Sequence, residues 1–166
     1  RLSVIDNFGC VDTIGIGSAN IMNMINNGQI PLTQIFLSDD QYSNVINIPF
    51  DFSFYGIDYS SCVISSNNYL SFNTNNAGGG SNWAIQASVP GSGPFNSIMA
   101  PWQDINPAAG GVIEYGTYGS APYRVFVVKW NDIPMFSCGN LFTSYLYLFE
   151  TTNRIETHVI DKSLCA

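Results

Sequence analysis

Along this chain turn-forming residues recur roughly every 8 to 12 positions, the spacing of short antiparallel strands. The segments between them either alternate apolar with polar residues or are rich in Val, Ile, Tyr and Phe. The pattern predicts strands at Gln34 to Ser38, Val45 to Phe54, Tyr59 to Ile64, Tyr69 to Asn73, Ile98 to Trp102, Val112 to Thr117, Arg124 to Asn131, Thr143 to Glu150 and Arg154 to Asp161. About nine short strands suit two packed sheets, so the expected fold is all-β, an antiparallel, jelly-roll-like β-sandwich with little helix. Thr152-Asn153 is a tight polar connection, and the two strands beside it should form a hairpin.

Helical patterning is weak. No segment sustains apolar residues at i, i+3, i+4 and i+7, and the residues that favour helices are scarce. A single short helical turn is expected around Asn82 to Ala87. Residues 1–32 read differently, because Gly9, Gly15, Gly17, Gly28 and several Asn residues interrupt isolated Ile and Met positions. There we expect irregular structure with one or two short strands: an N-terminal extension, edge strand or linker preceding a sandwich domain at 33–166.

Composition narrows the function. At 166 residues the chain fits one domain with a sizeable core. Charged residues are only 10% of it, aromatics 14% and apolar residues 46%, which excludes disorder. Between Asp58 and Asp104 no side chain is charged, so this stretch stays soluble on amides, hydroxyls and backbone. The net charge is -7, and the cations Arg1, Arg124, Lys129, Arg154 and Lys162 are scattered. Nucleic-acid binding needs clustered cations, and so do anionic membrane surfaces; neither partner is expected. The uncharged run from Thr13 to Ser38 carries Asn20, Asn23, Asn26, Asn27, Gln29 and Pro31, so it does not read as a membrane span. A start at Arg1 is expected of a processed or excised product. Cys10, Cys62, Cys138 and Cys165 lack the close pairs of zinc and redox motifs. Disulfides are the better reading, with three possible connectivities, and they imply an oxidising, extracytoplasmic setting.

Five sequence words complete the picture. They are Phe52-Ser53-Phe54-Tyr55-Gly56, Ile64 to Phe72, Pro101 to Pro107, Pro134-Met135-Phe136-Ser137-Cys138, and Phe149 to His158. As an ordered set, over roughly Thr33 to Cys165, they resemble the β-module of large secreted surface proteins of gliding, type IX-secreting Bacteroidota. That module is in turn similar to the nidogen-type extracellular domain. The resemblance implies an extracellular, largely β, non-catalytic unit, and it supports a Cys138 to Cys165 bridge of about 3 to 4 kcal/mol by loop entropy. Cys10 and Cys62 would then pair by elimination, unless Cys62, at a core strand, is a buried thiol.

Candidate chemistry is sparse. Asp104 and Asn106 alternate on one side of an extended segment and Asp39-Asp40 lies on another loop; such hard oxygen ligands suit calcium. Alternatively, Asp104 accepts backbone N–H bonds in an Asx turn leading to Pro107. Asp104, Glu114, Glu150 and Glu156 are candidates for glycoside hydrolysis, but no spacing selects a pair. Glu156 and His158 share one face of the last strand, expected to face solvent, and His158 has no nucleophile motif beside it. Of Tyr69, Trp83, Trp102, Tyr115, Tyr118, Tyr123 and Trp130, most should be core. Trp83, after the Gly78-Gly79-Gly80-Ser81-Asn82 loop, should be exposed, and with Asn82, Gln103 and Asn106 it is the candidate ligand-binding set.

The expected function is a secreted, non-enzymatic cell-surface module for adhesion or structural assembly, whose partners are other extracellular protein subunits or surface glycans. A homopolymer is one form of this, with the N-terminal third adding a strand to a neighbour's sheet edge. The alternative is a lectin-like glycan-binding module, and a glycoside hydrolase is the least favoured reading.

Overall fold

The structure, a computed structural model, describes residues 3–5, 11–13, 17–84, 93–162 and 165. In chain order the elements are β1 (Ser3–Ile5), β2 (Val11–Thr13), α1 (Ser18–Asn26), β3 (Thr33–Ile35), β4 (Ile46–Phe54), β5 (Ile57–Ile64), β6 (Tyr69–Ser71), β7 (Ser97–Met99), β8 (Val112–Tyr118), β9 (Val125–Pro134), β10 (Leu141–Phe149) and β11 (Ile155–Lys162). Strands β3 to β11 are the nine expected, with ends shifted by a few residues. They form two antiparallel sheets, β4-β5-β6-β7 and β11-β10-β9-β8-β3, while β1 and β2 pair separately. The all-β sandwich is as expected. Within it each sheet runs mainly as a meander, and the four-stranded sheet is an insertion between β3 and β8, which pair with Gln34 opposite Glu114.

Period-two patterning places the core. In β4 the buried Ile46, Ile48, Phe50 and Phe52 alternate with the exposed Asn47, Pro49 and Asp51. They meet Phe126, Val128 and Trp130 of β9 and Leu146 and Leu148 of β10 between the sheets. The other faces of β9 and β10 are also apolar: Val125, Val127, Tyr145, Tyr147 and Phe149 point away from the sandwich core. Strands apolar on both faces need cover on both sides.

That cover is α1, where irregular structure was expected. Ile21 and Ile25 pack on the outer face of β9 and β10 together with Ile30. The helix ends in a Schellman motif: Gly28, at φ 69°, donates to Ile25, and Gln29 donates to Met24 at 2.8 Å. Short strands do occur upstream, but residues 18–32 belong to the packed body through these contacts. Asparagine's low helix propensity and a length of only 9 residues hid the period. Burial of Ile21, 0% exposed, contributes about 1.5 to 3 kcal/mol. The helical turn expected at Asn82 to Ala87 is not seen in 82–84, which are irregular, and the remainder lies outside the described residues. Among the described residues no helix is long and apolar enough to cross a membrane.

The final hairpin is present. Its turn places Thr151 and Asn153 at positive φ, and Asn153 Oδ1 accepts from the Ser53 amide at 2.9 Å, pinning the turn to β4. Cys138 and Cys165 form a disulfide with Cα atoms 5.6 Å apart, joining the loop before β10 to the segment after β11. Of the two readings left open for Cys62, the structure has the buried thiol: it is free among the described residues and fully buried in the apolar core between the sheets, where burial pushes its pKa up. Its expected partner, Cys10, lies outside the described residues.

Candidate functional site

A polar turn between β5 and β6 organises one rim of the sandwich. Ser65, Ser66, Asn67 and Asn68 are all 0% exposed, so each polar atom there needs a protein partner. Asn68 sits at φ 61°, a left-handed conformation that Asn tolerates, and turns the chain back into β6. Its Nδ2 donates to the carbonyls of Ala100 and Pro101, and its Oδ1 accepts from Ser144 Oγ of β10 at 2.6 Å. Trp130 Nε1 donates to the Ser65 carbonyl at 3.0 Å. The turn therefore ties the two sheets together through hydrogen bonds removed from water.

Asn67 holds the loops above. Its Nδ2 reaches Asp40 Oδ1 at 2.8 Å and the Asn82 carbonyl at 3.3 Å, and its Oδ1 accepts from the Ile105 amide at 3.2 Å. Its carbonyl accepts from the Gln103 amide at 3.2 Å. Trp102 Nε1 donates to the Asn82 carbonyl at 3.0 Å, and the Asn82 amide donates to Tyr69 Oη at 2.9 Å. Thus three loops remote in sequence, around Asp40, Asn82 and Asp104, converge over Asn67.

Convergence brings carboxylates together. Asp39, Asp40 and Asp104 each offer an oxygen, and these atoms all lie within 4.8 Å of one another. Asn106 Nδ2 donates to Asp39 Oδ2 at 3.1 Å, while Asp39 Oδ1 is buried with no hydrogen-bond partner among the described residues. The pKa of Asp39 is raised by burial and by the charge of Asp40. That of Asp104 is raised by burial and by the charges of Asp40 and Asp39. A set of clustered, half-buried carboxylate oxygens is the donor chemistry of a hard divalent cation. The Asx-turn role considered for Asp104 belongs instead to Asn106, whose Oδ1 accepts from the Ala108 amide at 2.9 Å.

The candidate set from the sequence is thereby gathered at one rim: Asn82, Gln103, Asp104 and Asn106 belong to it through side chain or backbone, and Trp83, 52% exposed, follows Asn82. Tyr69, Trp102 and Trp130 are buried, and Tyr123 is exposed. The other carboxylates are engaged elsewhere. Glu150 takes both an amide and the guanidinium of Arg124, and that hydrogen-bonded partner holds its pKa below the usual range. They flank an open groove of about 620 Å³ along β4, away from the rim. Glu114 lies on β8, opposite Lys129 of β9 in the strand register.

Glu156 and His158 correct an expectation, since they are not the solvent-facing side of β11. They lie half-buried on the face that α1 covers, with His158 Nε2 2.9 Å from Ser18 Oγ and His158 edge-on to Tyr147. Burial works to raise the pKa of Glu156, but hydrogen bonds from Ser18 and His158 and the charge of Arg154 lower it overall. Sequence reasoning missed Asn67 and Asn68, the central residues of the site. Four consecutive small polar residues between Val63-Ile64 and Tyr69-Leu70 read by default as a solvent-exposed turn, so no local signal marked this one as enclosed.

Residues 19–164 match the model of a family described as NIDO related. No curated protein and no solved structure matches the chain.

Proposed function

This chain belongs to the NIDO related family, and from that premise we propose that it is an extracellular, non-catalytic β-sandwich module serving adhesion or structural assembly. Nidogen-related membership and the Cys138–Cys165 disulfide both fit an extracellular domain. Its setting, in this reading, is a large secreted surface protein of the Bacteroidota, and its partners are extracellular protein subunits or surface glycans.

The observation that carries the reading is the build of the rim. Loops bearing Trp83, Gln103, Asp104 and Asn106 rest on the fully buried Asn67 and Asn68, so groups at the surface stand on a fixed base. A surface ordered before contact loses little freedom on binding, which favours recognition. Calcium is part of the proposal: Asp39, Asp40 and Asp104 would hold it, neutralising a cluster that otherwise repels itself.

Beads coated with the chain test this against extracellular surface protein and against a glycan array, with Trp83→Ala as the control. Retention that Trp83→Ala weakens at least tenfold supports the rim as the binding face. Retention by glycans alone selects the lectin-like alternative. Turnover of chromogenic glycosides that Asp104→Asn abolishes overturns the non-catalytic reading.

A further inference from the structure

The two sheets have four outer edges, and three are poor templates for another strand. Strands β3 and β7 are 3 residues each. Strand β4 carries Pro49, which lacks an N–H, and the exposed Asp51. Strand β11 differs: it has 8 residues, no proline and, among the described residues, a single neighbour in β10.

The faces of β11 are also inverted in chemistry. Ile155, Thr157 and Val159 lie opposite Leu148, Leu146 and Ser144, which places them on the core side of the sheet. The smaller sheet does not cover them, and Ile155 is 36% and Val159 46% exposed. The ionisable Glu156 and His158 take the covered side under α1. An unpaired strand edge flanked by exposed β-branched residues is a surface on which another strand can add.

We propose that β11 pairs antiparallel with β11 of a second copy about a two-fold axis at Thr157. A register shift beyond Val159 ends the straight stretch, leaving Ile155 to Val159 as the segment free to pair. That segment, Ile-Glu-Thr-His-Val, has the same pattern from either end. In this register Ile155 faces Val159 of the second copy on one side of the sheet. On the other side Glu156 faces His158, an acid against an imidazole, twice over. Thr157 faces itself. This self-complementarity is what a second copy requires of an isologous contact, and a different partner strand would not require it.

Sedimentation equilibrium of the full chain reads the contact. The wild type is expected at about twice the 18.2 kDa of one chain, and Val159→Lys at the single-chain mass with an unchanged circular dichroism spectrum and a melting temperature that, unlike the wild type's, does not rise with concentration. Thr157→Cys tests the register, because directly opposite Cβ atoms lie about 4.5 to 5.5 Å apart, near disulfide reach. Oxidation should cross-link it to itself, and Ile155→Cys only when mixed with Val159→Cys, with the oxidised wild type as control. A wild type of single-chain mass at every concentration overturns the proposal. So does a dimer that persists in Val159→Lys or cross-links through Ile155→Cys alone. The inference rests on the chain being an assembly module and fails separately from it: a monomeric chain that still binds in the bead assay removes the β11 contact and leaves that reading standing.

Discussion

Replacing Asp104 by Asn keeps the shape of the side chain and removes one of three mutually repelling charges. At the 4.8 Å limit of the cluster, a pair of unit charges interacts by about 3.5 kcal/mol at an effective dielectric of 20 and by about 0.9 kcal/mol in water. The residues are half-exposed, so solvent screening favours the lower end. Relief of the repulsions from Asp39 and Asp40 should then stabilise the metal-free chain by about 1 to 2 kcal/mol, or roughly 2 to 8 °C in melting temperature for this size. Asp39 and Asp104 both have raised pKa values in the fold, so their ionisation opposes folding. The stability they leave intact at low pH is lost as pH rises from the ordinary carboxylate value through the raised one. Thermal melts in chelator, at neutral pH and near pH 4, should therefore show a gain for Asp104→Asn at neutral pH that shrinks in acid. Calcium at a hundredfold excess over its Kd should add about 2.7 kcal/mol to the wild type and much less to Asp104→Asn. An Asp104→Asn chain that melts at or below the wild type in chelator refutes the repulsion argument, and a wild-type melt indifferent to millimolar calcium removes the cation.

Two further outcomes follow from the fold. Ile21→Ala should cost about 2 to 5 kcal/mol, because it opens a cavity between α1 and the β9–β10 face; chemical denaturation measures it, and a loss under about 1 kcal/mol would mean that α1 does not seal that face. Glu150 has a lowered pKa through Arg124, so its contribution is present above the ordinary carboxylate range and is lost as pH falls through its folded value. Compared with the wild type, Glu150→Gln should be less stable at neutral pH and converge with it in acid; parallel melting curves across that range would contradict the pairing.

Much of the sandwich is written in local pattern. Alternation in β4 and the apolar runs of β9 and β10 name strands because a strand's side chains take sides at every second residue, a rule that needs no knowledge of the rest of the chain. The hairpin at Thr152-Asn153, the exposure of Trp83 and the Cys138–Cys165 bridge were legible from short-range signals and, for the bridge, from the family resemblance. Helix α1 was not, since two turns of Asn-rich sequence become helical when the outer face of β9 and β10 offers Ile21 and Ile25 a place to pack. Likewise Glu156 and His158 are covered because α1 happens to cross them, whereas for Cys62 the sequence left pairing and buried thiol both open, and its place in the core goes with the thiol. The sequence supplied Asp104, Asn106 and Asp39-Asp40 as separate candidates. Only the tertiary structure put them within reach of one another, 67 positions apart in the case of Asn106 and Asp39, because two buried asparagines fold three remote loops onto one rim. Strand identity depends on neighbours along the chain, whereas a site depends on neighbours in space.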